Sequence, residues 1–322
     1  MREEDQWRPT ASLENLKLRA ELLKKLRAFF EARSVLEVET PALSHAGATD
    51  RHLASFRVEN PHGGSLWLHT SPEFPMKRLL AAGAGDIWQV CKVFRASEAG
   101  RLHNPEFTMI EWYRLGFDHH RLMQETAELI QSLLPAAAEA PEHLTYRDAF
   151  QRHAGFDPFR AGKQTCVRAL QDSGKTVPAD NELDTDGWLD MVAGELVYPQ
   201  LGKGRLAFVY DYPASQAALA RIRPDNPHVA ERFEAFFNGI ELANGFHELT
   251  DAEEQRQRFE TDRAYRRAHG LADIPMDENL LTALQHGLLQ CAGVALGFDR
   301  LVMLATGVRC IEDVIAFPFV RA

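Results

Sequence analysis

Val93-Phe94-Arg95-Ala96-Ser97-Glu98-Ala99-Gly100-Arg101-Leu102-His103-Asn104-Pro105-Glu106-Phe107-Thr108-Met109-Ile110-Glu111-Trp112-Tyr113 is the stretch on which the reading of this chain turns. Two alternating runs flank a polar turn. Ile87, Gln89, Cys91, Val93 and Arg95 share one face of the first run, and Phe107, Met109, Glu111 and Tyr113 share one face of the second. Period-2 alternation across a loop holding Gly100, Asn104 and Pro105 predicts an antiparallel strand–loop–strand unit. Arg95, Glu111 and Tyr113 set polar groups on faces that otherwise read as buried. Buried charge is costly unless it is paired or meets a ligand. An Arg–Glu pair that holds the hairpin together is the plain structural explanation, and a ligand site is the alternative.

Toward the N-terminus, Leu68-His69-Thr70-Ser71-Pro72-Glu73 predicts a helix start, with Ser71 as N-cap and Pro72 in the first helical position. Glu73 in that first turn complements the helix dipole, an ordinary reason for an acid there. Further back, Ser34 to Thr40 alternates as a strand stopped by Pro41. Before it, Ser12 is the expected N-cap of a helix carrying Leu13, Leu16, Ala20, Leu23, Leu26 and Phe30 at helical spacing. The charged segment Met1 to Asp5 lacks the apolar core of a secretory signal.

Toward the C-terminus, residues 117 to 134 read as a helix, Thr145 as a cap for a helix through Phe150, and residues 188 to 196 as helical. Leu206 to Pro213 reads as a strand. Phe233-Glu234-Ala235-Phe236-Phe237-Asn238-Gly239-Ile240-Glu241-Leu242 then sets Asn-Gly between two apolar runs, a strong hairpin signal. A two-residue turn puts Phe236 opposite Glu241 and Glu234 opposite Ala243, with Glu234 and Glu241 as diagonal neighbours about 7–8 Å apart. Two such carboxylates repel unless a cation lies between them, either a metal or an arginine. Asn244 and Glu248 share a parity that Glu241 lacks, so a bulge near Gly245 is required to bring all three to one face. Thr250-Asp251-Ala252-Glu253 reads as a capping box opening a charged helix to about His269-Gly270. A second helix, Glu278 to His286, stops at Gly287. The strand Leu288 to Leu296 turns at Gly297 into a helix from Asp299 to Thr306, which places backbone N–H groups and Arg300 where a phosphate binds well.

Composition bounds the rest. The 322 residues, 45% of them hydrophobic, suffice for a full core. No run of about 18 apolar residues predicts a membrane span. Cys91, Cys166, Cys291 and Cys310 form no CxxC pair and read as reduced thiols, so a cytoplasmic location is expected. The net charge of −10 is the wrong sign for a chain that wraps RNA, although local basic patches can serve.

Phe94-Arg95 through His103-Asn104-Pro105-Glu106-Phe107-Thr108-Met109 resembles motif 2 of the class II aminoacyl-tRNA synthetases, in the form found in lysyl-tRNA synthetases. Val38-Glu39-Thr40-Pro41-Ala42-Leu43 resembles motif 1, and Gly293-Val294-Ala295-Leu296-Gly297-Phe298-Asp299-Arg300-Leu301 resembles motif 3. Each string alone is weak. Their order, with residues 241 to 249 (ELANGFHEL) between the last two, is specific, and the resemblance runs from about Ser12 to Pro318. It implies an α+β class II catalytic fold, an antiparallel sheet flanked by helices, working as a homodimer through its first helix and strand. It also implies ATP and Mg2+. Arg95 is then expected on the α-phosphate and substrate carboxylate, Arg300 on the distal phosphates, and Phe107 under adenine. Ala96, Ser97, Glu98, His103, Asn104, Leu242 and Gly297 border the nucleotide, and Glu234 and Glu241 carry magnesium. Ser71, Pro72, Glu73, Glu111, Tyr113, Asn244, Glu248 and Ala295 line the amino-acid pocket, whose acids suit a dicationic, lysine-like substrate.

Departures from the pattern narrow the reading. Motif 1 begins within forty residues of Met1, which leaves no room for an anticodon-binding domain, so a single catalytic domain over 1–322 that does not use tRNA is expected. Ala295 replaces the central glycine of motif 3, and Ser97 stands where a glutamate usually reads the adenine amino group, with Glu98 one position away. Together with Trp112 and His247, this pattern is similar to the elongation factor P–lysine ligases, paralogues of lysyl-tRNA synthetase. The implied reaction is adenylation of (R)-β-lysine, then transfer to a lysine ε-amine of elongation factor P. No general base for that transfer is legible, and the adenylate phosphate or the product is expected to take the proton. A lysyl-tRNA synthetase-like enzyme charging tRNA and a non-catalytic paralogue are the alternatives.

Overall fold

The computed structural model describes residues 7–51, 53–178 and 183–322, so the charged Met1 to Asp5 segment lies outside the described residues. The chain divides into two compact units, Met1–Phe117 with Leu249–Ala322, and Asp118–Glu248. No helix among the described residues is long and apolar enough to cross a membrane.

The first unit opens with α1 (Leu13–Glu31), capped as expected by Ser12, whose hydroxyl accepts from the Asn15 N–H. Its buried stripe is Leu22, Leu26, Phe29 and Phe30, whereas Leu13 is 70% exposed. Phe30 stacks on Trp88 at 4.6 Å and meets the edge of Trp112 at 5.5 Å, so two large aromatics lock this helix to the sheet. The strand expected over Ser34 to Thr40 contracts to β1 (Leu36–Glu37), parallel to the later strand at Ile87 and Trp88. Ser34 sits at φ 56°, the left-handed turn that ends α1 and delays the extended backbone. A small three-stranded sheet follows, with β2 (Leu43–Ser44), β3 (Arg57–Glu59) and β4 (Ser65–Leu68) in the order β2-β4-β3. Next come α2 (Glu73–Ala81), β5 (Ile87–Phe94) and β6 (Glu106–Leu115). β5 and β6 pair antiparallel from Ile87↔Tyr113 through Gln89↔Glu111 to Phe94↔Glu106 without a break, so the two alternating faces read from sequence are one face.

The second unit comprises α3 (His119–Leu133), β7 (Glu142–Thr145), α4 (Tyr146–His153), α5 (Lys163–Asp172), α6 (Thr185–Val192), β8 (Ala207–Pro213), β9 (Val229–Phe237) and β10 (Ile240–His247). Thr145 caps α4 through its bond from the Asp148 N–H, as expected. Its strands run β10-β9-β8-β7, with α3 packed on β9 and β10. A core of Phe150, Trp188, Leu189, Val197, Val209 and Phe236 ties the helices α4 and α6 to the sheet. Asn238 (φ 50°) and Gly239 (φ 74°) form the predicted two-residue turn. A side chain at 239 would also approach the Pro199 backbone at 3.1 Å, a second reason for glycine there.

The chain returns to the first unit with α7 (Ala252–Ala268), α8 (Glu278–Gly287), β11 (Cys291–Gly297) and α9 (Phe298–Thr306). The cap of α7 is Asp251 and not Thr250: its carboxylate accepts from the N–H groups of Glu253 and Glu254, a stronger acceptor than a hydroxyl one residue earlier. β11 pairs antiparallel with β6, and α8 packs on α2.

Candidate active site

In the first unit, the acids of the expected amino-acid pocket converge at α2 and β6. Glu111 is buried, and its carboxylate accepts from Ser71 Oγ at 2.7 Å and Tyr113 Oη at 2.6 Å. Burial, and next the charge of Glu73, push its pKa up to about 7 against the two hydroxyl bonds and Lys77. Ser71 lies one residue outside the cap position expected of it, since α2 begins at Glu73 with Pro72 before it. Its hydroxyl nevertheless accepts from the Glu73 N–H at 3.0 Å while donating to Glu111. Glu73 pairs with Lys77 Nζ at 2.6 Å, and Lys77 is 1% exposed. Lys77 was missed from sequence, although its i,i+4 spacing from Glu73 was the available signal. Ala295 is the direct cross-strand neighbour of Glu111, so the methyl group that replaces the motif glycine abuts this acid.

The residues expected at the phosphates lie on the β5–β6 loop and α9. Arg95 pairs with Glu98 at 3.2 Å and places its guanidinium 5.1 Å from the Phe107 ring centroid. Thus Glu98, one candidate for reading adenine, holds Arg95, and Ser97 is exposed. The Ala96 N–H donates to the Ala54 carbonyl at 2.8 Å. Arg300, in the first turn of α9, lies 2.7 Å from His103 Nε2 through Nη2. α9 is itself pinned to β6: Asp299 accepts from the Thr108 N–H at 2.8 Å and from Arg19 at 2.5 Å. Gly297 ends β11 opposite Met109. The buried amide of Asn104 is committed to the fold, donating to Glu106 O at 2.5 Å and accepting from the Phe319 N–H at 3.0 Å.

In the second unit, the hairpin acids are brought together by a correction to the expected register. Glu241 lies opposite Phe236 as predicted, but the ladder then shifts between Glu241 and Ala243, so Asn244 and not Ala243 stands opposite Glu234. The bulge falls at buried Leu242 and not near Gly245. One extra residue there restores Glu241, Asn244 and Glu234 to a common face. Glu234 is buried, and burial raises its pKa to about 7; Arg232 opposes the shift, and the charge of Glu241 adds to it. Arg232 ion-pairs with Glu234 and donates to Asn244 Oδ1 at 3.2 Å and Gln216 O at 2.8 Å. Its guanidinium lies over Tyr212 at 4.5 Å. The residue was missed, yet it shares parity with Glu234 two positions on, where a partner for a buried acid is expected. Glu248 is 1% exposed just beyond β10, bridged to Ala220.

Oxygen donors alone, on two acids close enough to perturb each other, suit a hard divalent cation. Partly exposed guanidinium groups such as Arg95 and Arg300 suit an anionic nucleotide, and a buried acid such as Glu111 suits a cationic amine.

The family model described as tRNA synthetases class II (D, K and N) matches residues 5–321. Among curated relatives, "Elongation factor P--(R)-beta-lysine ligase" of Vibrio atlanticus is 51% identical over 98% of this chain and 99% of its own length. The protein of the same name from Vibrio cholerae serotype O1 is 51% identical over 98% of both chains. That of Salmonella paratyphi B is 50% identical over 100% of both. The chain therefore belongs to the class II tRNA synthetase family, in the group that contains the elongation factor P–(R)-β-lysine ligases.

Proposed function

We propose that this protein joins (R)-β-lysine to a lysine ε-amine of translation elongation factor P, through an aminoacyl-adenylate made from ATP. The observation that carries this reading is the end-to-end likeness to relatives named for that reaction. The α2–β6 acid cluster supports it. Glu73 and Glu111 face one buried ammonium, Lys77, so negative charge is in excess where a substrate ammonium needs a desolvated counter-charge.

Adenylation is attack of the substrate carboxylate on the α-phosphorus with departure of pyrophosphate. The reaction needs positive charge and alignment and no protein nucleophile. Arg95 leaves Glu98 to meet the α-phosphate and substrate carboxylate, and Phe107, freed of its guanidinium, carries adenine. Arg300 takes the distal phosphates with His103 at its side. Glu234 and Glu241 are the residues that would hold magnesium, which when bound neutralises phosphate charge. Ser71 and Tyr113 orient Glu111 toward the substrate amine, and Ala295 narrows the pocket beside it. In the second step the acceptor amine attacks the acyl carbon, and its proton leaves with the adenylate phosphate.

We read the whole chain as one catalytic domain, in line with a family model that spans it. A cytoplasmic homodimer that does not use tRNA completes the proposal, supported by exposed Leu13 and Leu36 on the first helix and strand, 70% and 55% accessible. Mass spectrometry of elongation factor P after incubation with the protein, ATP, Mg2+ and (R)-β-lysine tests it. A gain of one lysyl residue is expected. An unchanged mass, with tRNA charged in its place, overturns the reading.

A further inference from the structure

The reverse face of the β9–β10 hairpin holds a second polar cluster that the ligase reaction does not use. Successive residues alternate faces. With Asn244 opposite Glu234 and Phe246 opposite Arg232, Glu231 and His247 fall on the other side, where α3 packs. There His119, Glu231 and His247 present ligand atoms that all lie within 4.8 Å of one another, and all three side chains are buried. His119 is 3% exposed, and neither of its ring nitrogens has a hydrogen-bond partner among the described residues. A buried imidazole without a partner is costly, so its position calls for a ligand.

We propose that His119, Glu231 and His247 form a structural site for one zinc-class divalent cation. Two imidazoles and one carboxylate are the donor set of such ions and leave a fourth position for water. Tetrahedral bonds of about 2.0–2.2 Å place ligands roughly 3–3.5 Å apart, so the cluster closes on an ion by small side-chain rotations. The surroundings are those that metal sites use to orient their ligands. Arg221 donates to Glu231 Oε2 through Nε at 2.9 Å and Nη2 at 2.8 Å, and His247 Nδ1 lies 2.7 Å from the same oxygen. Asp211 Oδ1 stands 3.8 Å from His119 Nε2, within ion-pair reach but beyond a hydrogen bond. Asp211 is held at 2.5 Å by Arg223, and its φ of 64° lies where β8 breaks register between Tyr210 and Tyr212. Strain of this kind persists where the surroundings over-determine it. His119 is also the first residue of α3, so the helix start fixes where its ring enters the cluster. The site would tie α3 to the hairpin whose opposite face carries Glu234.

The test is metal-free full-length protein titrated with Zn2+, and separately with Co2+ as an optical probe. One equivalent of Zn2+ per chain, a rise in melting temperature and a tetrahedral cobalt absorption band are expected. His119→Gln and His247→Gln should each lower zinc affinity at least tenfold, and Glu234→Gln should leave it unchanged. Wild-type protein that takes up no zinc at micromolar concentration overturns the proposal without any variant. So does stoichiometric binding that survives His119→Gln, or a cobalt spectrum of octahedral, surface-bound type. Because the readouts are affinity and spectrum, a failed lysylation assay would bear only on the ligase reading.

Discussion

The two antiparallel strand pairs that carry site acids solve the same problem in different ways. β5–β6 keeps an unbroken register, and its buried Glu111 is steadied by two hydroxyls, with Lys77 held one helical turn from Glu73. β9–β10 breaks its register at Leu242, and its buried Glu234 is steadied by a full guanidinium, Arg232, on the same strand. Hydroxyl bonds leave a carboxylate's charge in place for a substrate cation. A guanidinium neutralises the carboxylate until something with higher charge density displaces it. The comparison therefore separates the pocket proposed for an ammonium from the one proposed for a metal.

Removing Arg232 should break this contrast most severely. Arg232→Met leaves Glu234 buried without its cation, and a loss of about 3–5 kcal/mol of stability is expected in chemical denaturation. Unchanged stability would mean that Glu234 is already protonated and that Arg232 does not neutralise it.

Next in size is catalysis. Glu241→Gln should lower the rate of ATP–pyrophosphate exchange roughly 10²–10³-fold, with little change in the KM for the amino acid. Glu111→Gln should act in the opposite sense, raising the amino-acid KM with a smaller effect on the maximal rate. Equal effects on both parameters in the two variants would erase the proposed division of labour.

Stability against pH sharpens the comparison further. Glu111 has a pKa raised to about 7 by burial and Glu73, so its favourable contribution is complete below the ordinary carboxylate range and is lost as pH rises through about 7. Wild type should therefore lose on the order of 1–3 kcal/mol relative to Glu111→Gln between pH 4.5 and pH 8. Parallel stability profiles for the two proteins would show that Glu111 ionises normally. The smallest effect is at the turn: Asn238→Ala at φ 50° should cost about 1 kcal/mol, read as a shift in melting temperature.

The face shared by the polar residues of the β5–β6 unit was legible because an unbroken ladder preserves parity from end to end. The β9–β10 unit was half legible. Its turn was readable from Asn238-Gly239 and its bulge was needed by the arithmetic, but the bulge fell at Leu242 and not near Gly245. Asn104 illustrates a different gap: its motif suggests a nucleotide contact, whereas its amide also bonds the backbone at Phe319, more than two hundred residues away.

By itself the amino-acid order determined where strands alternate, where turns must fall and which charged side chains the motifs carry, since these depend on a few neighbouring residues. Tertiary structure alone decided that Lys77 and Arg232 are the buried partners of the acids, that Glu111 and Glu234 hold protons more tightly than exposed carboxylates do, and that His119, Glu231 and His247 converge. Those outcomes depend on which surfaces lose water and which distant strands meet, and desolvation is a property of the packed molecule.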